Sequence, residues 1–137
     1  MKNLTNLSKL QKTLSINAVF SGLSGITMAL GSEPLARFMN IQSPIQLTMT
    51  GINLIVFSGF LAWLVRRPAM PRVLVWGVVM SDLAWVLLSV AGLAMLPHQL
   101  STAGFLLVVD VAAIVAGFAL AQIFFLTRTS PTSVATQ

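Results

Sequence analysis

The sequence predicts an all-α protein, an antiparallel four-helix transmembrane bundle with both termini in the cytoplasm. Three observations carry this. The chain is 137 residues long, 56% hydrophobic and only 8% charged, against roughly 25% charged in an ordinary soluble domain. A soluble chain of this length has too large a share of surface to hide that much apolar side chain. Four apolar stretches run through it, at about 13–31, 45–65, 73–96 and 104–126, each close to the ~20 residues a helix needs to cross a bilayer core. The prolines (Pro34, Pro44, Pro68, Pro71, Pro97 and Pro131) all fall between or beyond these stretches. The continuous runs also argue against a β-barrel, whose strands would alternate apolar and polar residues over about 10 positions.

Residues 1–12 place Leu4, Leu7 and Leu10 at helical spacing beside Lys2, Lys9 and Lys12. That pattern predicts an amphipathic cytoplasmic segment continuing into span one. Span one is the least apolar of the four and carries Ser15, Asn17, Ser21, Ser24 and Thr27, so one face is expected to meet protein rather than lipid. Ala18-x-x-x-Gly22 and Ser21-x-x-x-Gly25 are small-residue ridges that let a neighbouring helix approach closely. The lysines before an apolar run, with Ala29-Leu30-Gly31 behind it, also have the form of a signal peptide; the segment is read here as a retained span. Ser32-Glu33-Pro34 has the form of a helix start, predicting one or two interfacial turns over Leu35–Asn40. Beyond span four, residues 127–137 are expected to form a flexible cytoplasmic tail.

Orientation follows from charge. Of the 8 Lys and Arg residues, only Arg37 lies in a gap on the side away from the N-terminus. The positive-inside rule places the other side, with both termini, in the cytoplasm. Trp63 and Trp76 flank the gap that holds Arg66, Arg67 and Arg72. These residues are expected to set topology and to meet lipid headgroups at the inner leaflet. The pI near 11.5 does not imply nucleic acid as a partner, because the charges are few and form no basic stripe.

Asn17, Asn53, Asp82 and Asp110 give each span a strongly polar residue. If all four face the bundle axis, they form a polar ladder over about 15 Å at 1.5 Å per residue. Asp82, Trp85, Ser89 and Gly92 share one stripe of span three, and Asp110, Ala113, Gly117 and Ala121 share one stripe of span four. Both stripes are expected to face inward, with Trp85 finding a hydrogen-bond acceptor there. An Asp in mid-membrane costs roughly 2.5–3.5 kcal/mol on insertion scales, and no Lys or Arg lies inside a span to pair with it. The candidate polar site is therefore Asp82, Asp110, Asn17, Asn53, Trp85 and Ser89.

With no cysteine and the single histidine, His98, in a gap, thiol chemistry and bis-histidine haem ligation are excluded. No catalytic constellation, metal-ligand spacing or phosphate-binding loop appears. The chain is read as a non-enzyme without cofactor or metal.

The stretch 81–89 (SDLAWVLLS), with Leu100-Ser101-Thr102-Ala103-Gly104 and 16–22 (INAVFSG), resembles small uncharacterised four-span proteins of the bacterial inner membrane. The resemblance covers most of the chain and implies a four-helix bundle in that membrane, with no activity attached. Small multidrug-resistance exporters are similar in size, but they place their key Glu in the first span, where this chain has Asn17. The quinone-reducing four-helix proteins need a Cys pair, and the DoxX-like group shares no motif here. The leading expectation is an accessory or interaction module with a buried polar network, docking a second copy or a partner membrane protein. One alternative is a minimal proton-coupled transporter or channel using Asp82 and Asp110. The other is a lipid or quinone binder, with Trp85 and Asp82 at the polar end of an apolar pocket.

Overall fold

The computed structural model describes residues 2–67, 70–95 and 98–128, with side chains from residue 8 onward. The expected tail beyond Arg128 and the side chains of Lys2, Leu4 and Leu7 lie outside the described residues. Within them the protein is all-helical: α1 (Lys2–Leu30), α2 (Ser32–Met39), α3 (Pro44–Val65), α4 (Arg72–Met95) and α5 (Thr102–Thr127). All but α2 are long and apolar enough to cross a membrane, so this is a small multi-pass membrane protein. The expected amphipathic segment and span one form one unbroken helix.

Local chemistry sets the breaks. Helix α2 ends at Asn40, whose left-handed backbone (φ 60°) carries the C-cap, a conformation Asn tolerates better than most residues. Ile41 N–H then donates to Ala36 O at 2.8 Å, closing the helix end. Pro44 opens α3, where its missing N–H costs no helical hydrogen bond. Ser101 caps α5, accepting from Gly104 N–H at 3.0 Å.

The four long helices form two pairs. Helix α1 packs along α3, and α4 packs along α5; α1 and α5 join the pairs, while α3 and α4 form no comparable interface. Close approach within the first pair depends on glycine. A Cβ on Gly25 would lie 2.6 Å from Gly51 O, and one on Gly51 would lie 2.6 Å from both Ala29 N and Gly25 O. Ser58 Oγ donates across the same seam to Ala18 O at 2.6 Å. Lipid tails are as apolar as leucine, so such backbone contact and cross-helix hydrogen bonding are what hold membrane helices together.

The pairs meet at one end of the bundle, here called the basic end because Lys9, Lys12, Arg66, Arg67, Arg72 and Arg128 gather there. Leu10, Leu14, Leu61, Leu64, Val75 and Leu126 form a closed core at that end, sealed by Met70 from the α3–α4 connection. At the other end α2 crosses over the bundle and is tied to the start of α5. Ser101 Oγ donates to Phe38 O at 2.7 Å, and Ser101 N–H donates to Met39 O at 3.0 Å. Gly104 faces the Met39 backbone, where a Cβ would lie 2.9 Å from Met39 Cα.

Replacing Gly51 with Val is expected to lower stability by about 1–3 kcal/mol, the usual cost of overpacking a closed seam. Gly117→Ala, whose new Cβ meets nothing within 4 Å, should not destabilise and should gain up to about 1 kcal/mol of helix propensity. Denaturation in mixed micelles measures both, and equal effects would contradict the seam.

Candidate functional site

The polar centre of the bundle is built on Asp82, which lies near the middle of α4 and is 4% exposed. Its Oδ2 accepts two hydrogen bonds, from Asn17 Nδ2 of α1 at 2.9 Å and from Gln122 Nε2 of α5 at 3.2 Å. Asn17 and Gln122 are both fully buried. Ser21, one turn beyond Asn17, donates to Asn17 Oδ1 at 3.1 Å and so fixes the orientation of that amide. One carboxylate oxygen therefore joins α4 to both neighbours, just above the closed core. Its partner oxygen, Oδ1, has no hydrogen bond among the described residues and is not sealed off.

Gln122 Oε1 is buried with no partner among the described residues. With Nε2 turned to the carboxylate, the amide oxygen is left among apolar neighbours, at a cost of about 1–3 kcal/mol.

Above Asp82 the two helix pairs diverge, leaving a cavity of about 640 Å³. Its floor is Asp82 and Ser21, and its walls are mainly apolar: Phe20, Leu54, Phe57, Trp85, Val111 and Val115. Leu35 and Met39 bound it at the α2 end. The lining on α4 runs from Ser81 to Ser89, which is about 12 Å along the axis at 1.5 Å per residue. The cavity is open at its flanks. Asn53 and Ser81 line it yet are exposed between α3 and α4, and Leu23 and Leu107 do the same between α1 and α5.

The candidate residues separate into groups. Asp82 and Asn17 meet directly. Asp82, Trp85, Ser89 and Asn53 line the cavity, Asn53 at its flank. Ser89 Oγ donates to Trp85 O at 2.8 Å, whereas the Trp85 indole has no hydrogen bond among the described residues, contrary to the expected acceptor. Asp110 is not part of the site. It is exposed on the outside of the bundle, as are Ala113 and Gly117. The stripe of α5 that faces inward is Ala112, Val115, Ala119, Gln122 and Leu126. Asp110 precedes that stripe by two residues, roughly 200° around a helix of 3.6 residues per turn. The four-residue polar ladder is thereby corrected: two of its members, Asn17 and Asp82, join with Gln122, which takes the place expected for Asp110. Gly92 also stands clear, with nothing within 4 Å of a built Cβ.

At the basic end, Trp63 is half exposed and the Arg67 guanidinium lies over its ring, 4.6 Å from the centroid. Arg66 is exposed beside it and Arg72 begins α4. Trp76 instead packs partly buried against the closed core. Among the described residues no three His, Cys, Asp or Glu side chains come together, and His98 is exposed. No protein-family profile, curated protein or solved structure matches the chain.

Asp82→Ala strands two buried amide donors and is expected to cost about 1–3 kcal/mol. Asp82→Asn keeps an acceptor oxygen and should cost less than about 1 kcal/mol. Asp110→Asn should stay within about 0.5 kcal/mol of the parent. Unfolding in mixed micelles ranks the three, and a ranking led by Asp110 would contradict the assignment.

Proposed function

We propose that this chain is a bacterial inner-membrane protein, with both termini cytoplasmic, that binds an apolar molecule with a small polar group between its helix pairs. The observation that carries the reading is the cavity itself. Its volume lies within the roughly 300–1,000 Å³ of small-molecule sites, and it combines apolar walls with a few converging polar groups, as such sites do. Flanks that open between helices suit a molecule arriving from the lipid phase rather than from water. The orientation rests on the charge asymmetry of the gaps and the membrane on the sequence resemblance.

The geometry gives less support to a transporter using two acids. Asp82 sits at the cavity floor, whereas Asp110 lies across α5 on the bundle's outer surface, so no shared path joins them.

One observation favours a second reading, the interaction module. A carboxyl group on the outside of a spanning helix has no hydrogen-bond partner in its own chain among the described residues, and it sits beside Ala113 and Gly117, where a second helix can approach. On this reading Asp110 and Gly117 meet a second copy, and Gly117→Leu would shift the protein to monomer in a crosslinking assay.

For the binding reading, protein extracted directly into native-lipid nanodiscs should retain one apolar molecule per chain, detected by native mass spectrometry. Val115→Phe, which fills the cavity, should fold normally and lose it. A parent that retains nothing, or a variant that retains as much as the parent, would contradict the proposal.

A further inference from the structure

If the cavity binds an apolar molecule, as proposed above, the polar capacity left over at its floor decides which kind. Asp82 Oδ2 is saturated by Asn17 and Gln122, but Oδ1 is open. Trp85 and Asn53 line the same space, and neither the indole N–H nor the amide has a hydrogen-bond partner among the described residues. The site thus offers one carboxyl oxygen, an indole donor and, at the flank, an amide that can do either, beside the hydroxyls of Ser21, Ser24 and Ser89.

Charge narrows the choice. Among the described residues no Lys or Arg lines the cavity. A fatty acid or a phospholipid phosphate would bring an anion to a site that holds a carboxyl group and no cation, and burying an unpaired charge is among the costliest things a protein interior can do. Position narrows it further. Asp82 lies 10 residues into the 24-residue helix α4, close to the bilayer midplane. A headgroup that must stay at the membrane surface, as an ammonium does, cannot reach it while its tail remains in the same leaflet. A weakly polar, uncharged group can.

A hydroxyl satisfies every condition. It is neutral, small enough to lie at mid-membrane, and both donates and accepts. It can donate to Asp82 as carboxylate or accept from it as carboxylic acid, and in either state it can also accept from the Trp85 indole. We infer that the cavity selects a neutral, hydroxyl-bearing apolar molecule, of the class of long-chain alcohols and phenols, with its hydroxyl on Asp82 Oδ1 and its apolar body along the walls toward α2. Anionic amphiphiles are rejected at the same floor, a repulsive element that gives the site its specificity.

The test uses Trp85 as the reporter. In the full chain carrying Trp63→Phe and Trp76→Phe, Trp85 is the one remaining tryptophan. The protein is placed in phosphatidylcholine nanodiscs and titrated with undecanol, undecanoate, undecylamine and undecane, each brominated at carbon 2, so that the bromine lies beside the polar group and quenches indole fluorescence on contact. The alcohol should quench Trp85 saturably, at a concentration lower than any of the other three by about tenfold, the ratio expected for one hydrogen bond. Asp82→Asn, which keeps the fold's acceptor and offers an amide donor to the hydroxyl, should keep the preference over the alkane but weaken the rejection of the acid, and Asp82→Leu should abolish the preference while the bare alkane still quenches. Should Asp82→Leu not fold, the comparison of four probes on the parent decides alone. Equal quenching by alcohol and alkane, or a preference for the acid or the amine, would overturn the hydroxyl assignment while leaving the cavity a binding site. Absence of saturable quenching by any probe would overturn the binding reading itself.

Discussion

Two amide hydrogen bonds onto one oxygen of Asp82 hold the upper part of this bundle in place. Helix α4 touches α5 along its length but makes no extended interface with α1 or α3. What ties it to α1 above the closed core is the bond from Asn17 Nδ2, and Gln122 reaches the same oxygen from α5. The junction therefore sits where the helix pairs part. Below it, leucine and valine side chains close the interior. Above it, the rings of Phe20 and Phe118 meet between α1 and α5 with centroids 5.7 Å apart, and α2 spans the open end.

That arrangement explains why a costly residue is tolerated. A carboxyl group in mid-membrane is penalised by several kcal/mol on insertion scales, and the two bonds it receives are each worth only roughly 0.6–2 kcal/mol in such bundles. Packing stability alone would be served better by an apolar residue of the same size. What Asp82 supplies that leucine could not is a polar floor, with one oxygen spent on the fold and the other without a hydrogen bond among the described residues. Helix α2 complements it. By bonding across to the start of α5 through Ser101, it braces the open end, so the cavity is a feature of the fold and not of a frayed bundle.

Much of this was legible in the sequence. Proline spacing and hydropathy located all four spans and the short α2, because continuous apolar runs and helix-stop residues act locally. The Ser21-x-x-x-Gly25 ridge of span one identified the close α1 seam, although its partner, Gly51, carried no comparable signal. The rotation of α5 was not legible. Its residues are apolar on nearly every face, so the only cues were a polar residue and small side chains. Asp110 with Ala113 and Gly117 supplied both on one stripe; Gln122 with Ala112 and Ala119 supplied both on another. The residues 110 and 122 differ by roughly 120° around the helix, and only one stripe can face Asp82. Tertiary context, not local pattern, chose Gln122. Asn53 was similarly ambiguous, since a polar residue at the edge of a cavity and one on the bundle axis have the same sequence signature. The cavity had no signature at all. It arises from the divergence of two helix pairs, a property of contacts that are absent.

The most direct test of the Asp82 junction is solid-state NMR in lipid bilayers, with ¹³C-labelled Asp and side-chain ¹⁵N-labelled Asn and Gln. Through-space transfer from the carboxyl carbon of Asp82 should reach both Asn17 Nδ2 and Gln122 Nε2, and that of Asp110 should reach neither. Transfer from Asp110 to either amide, or none from Asp82, would contradict the junction and the cavity floor built on it.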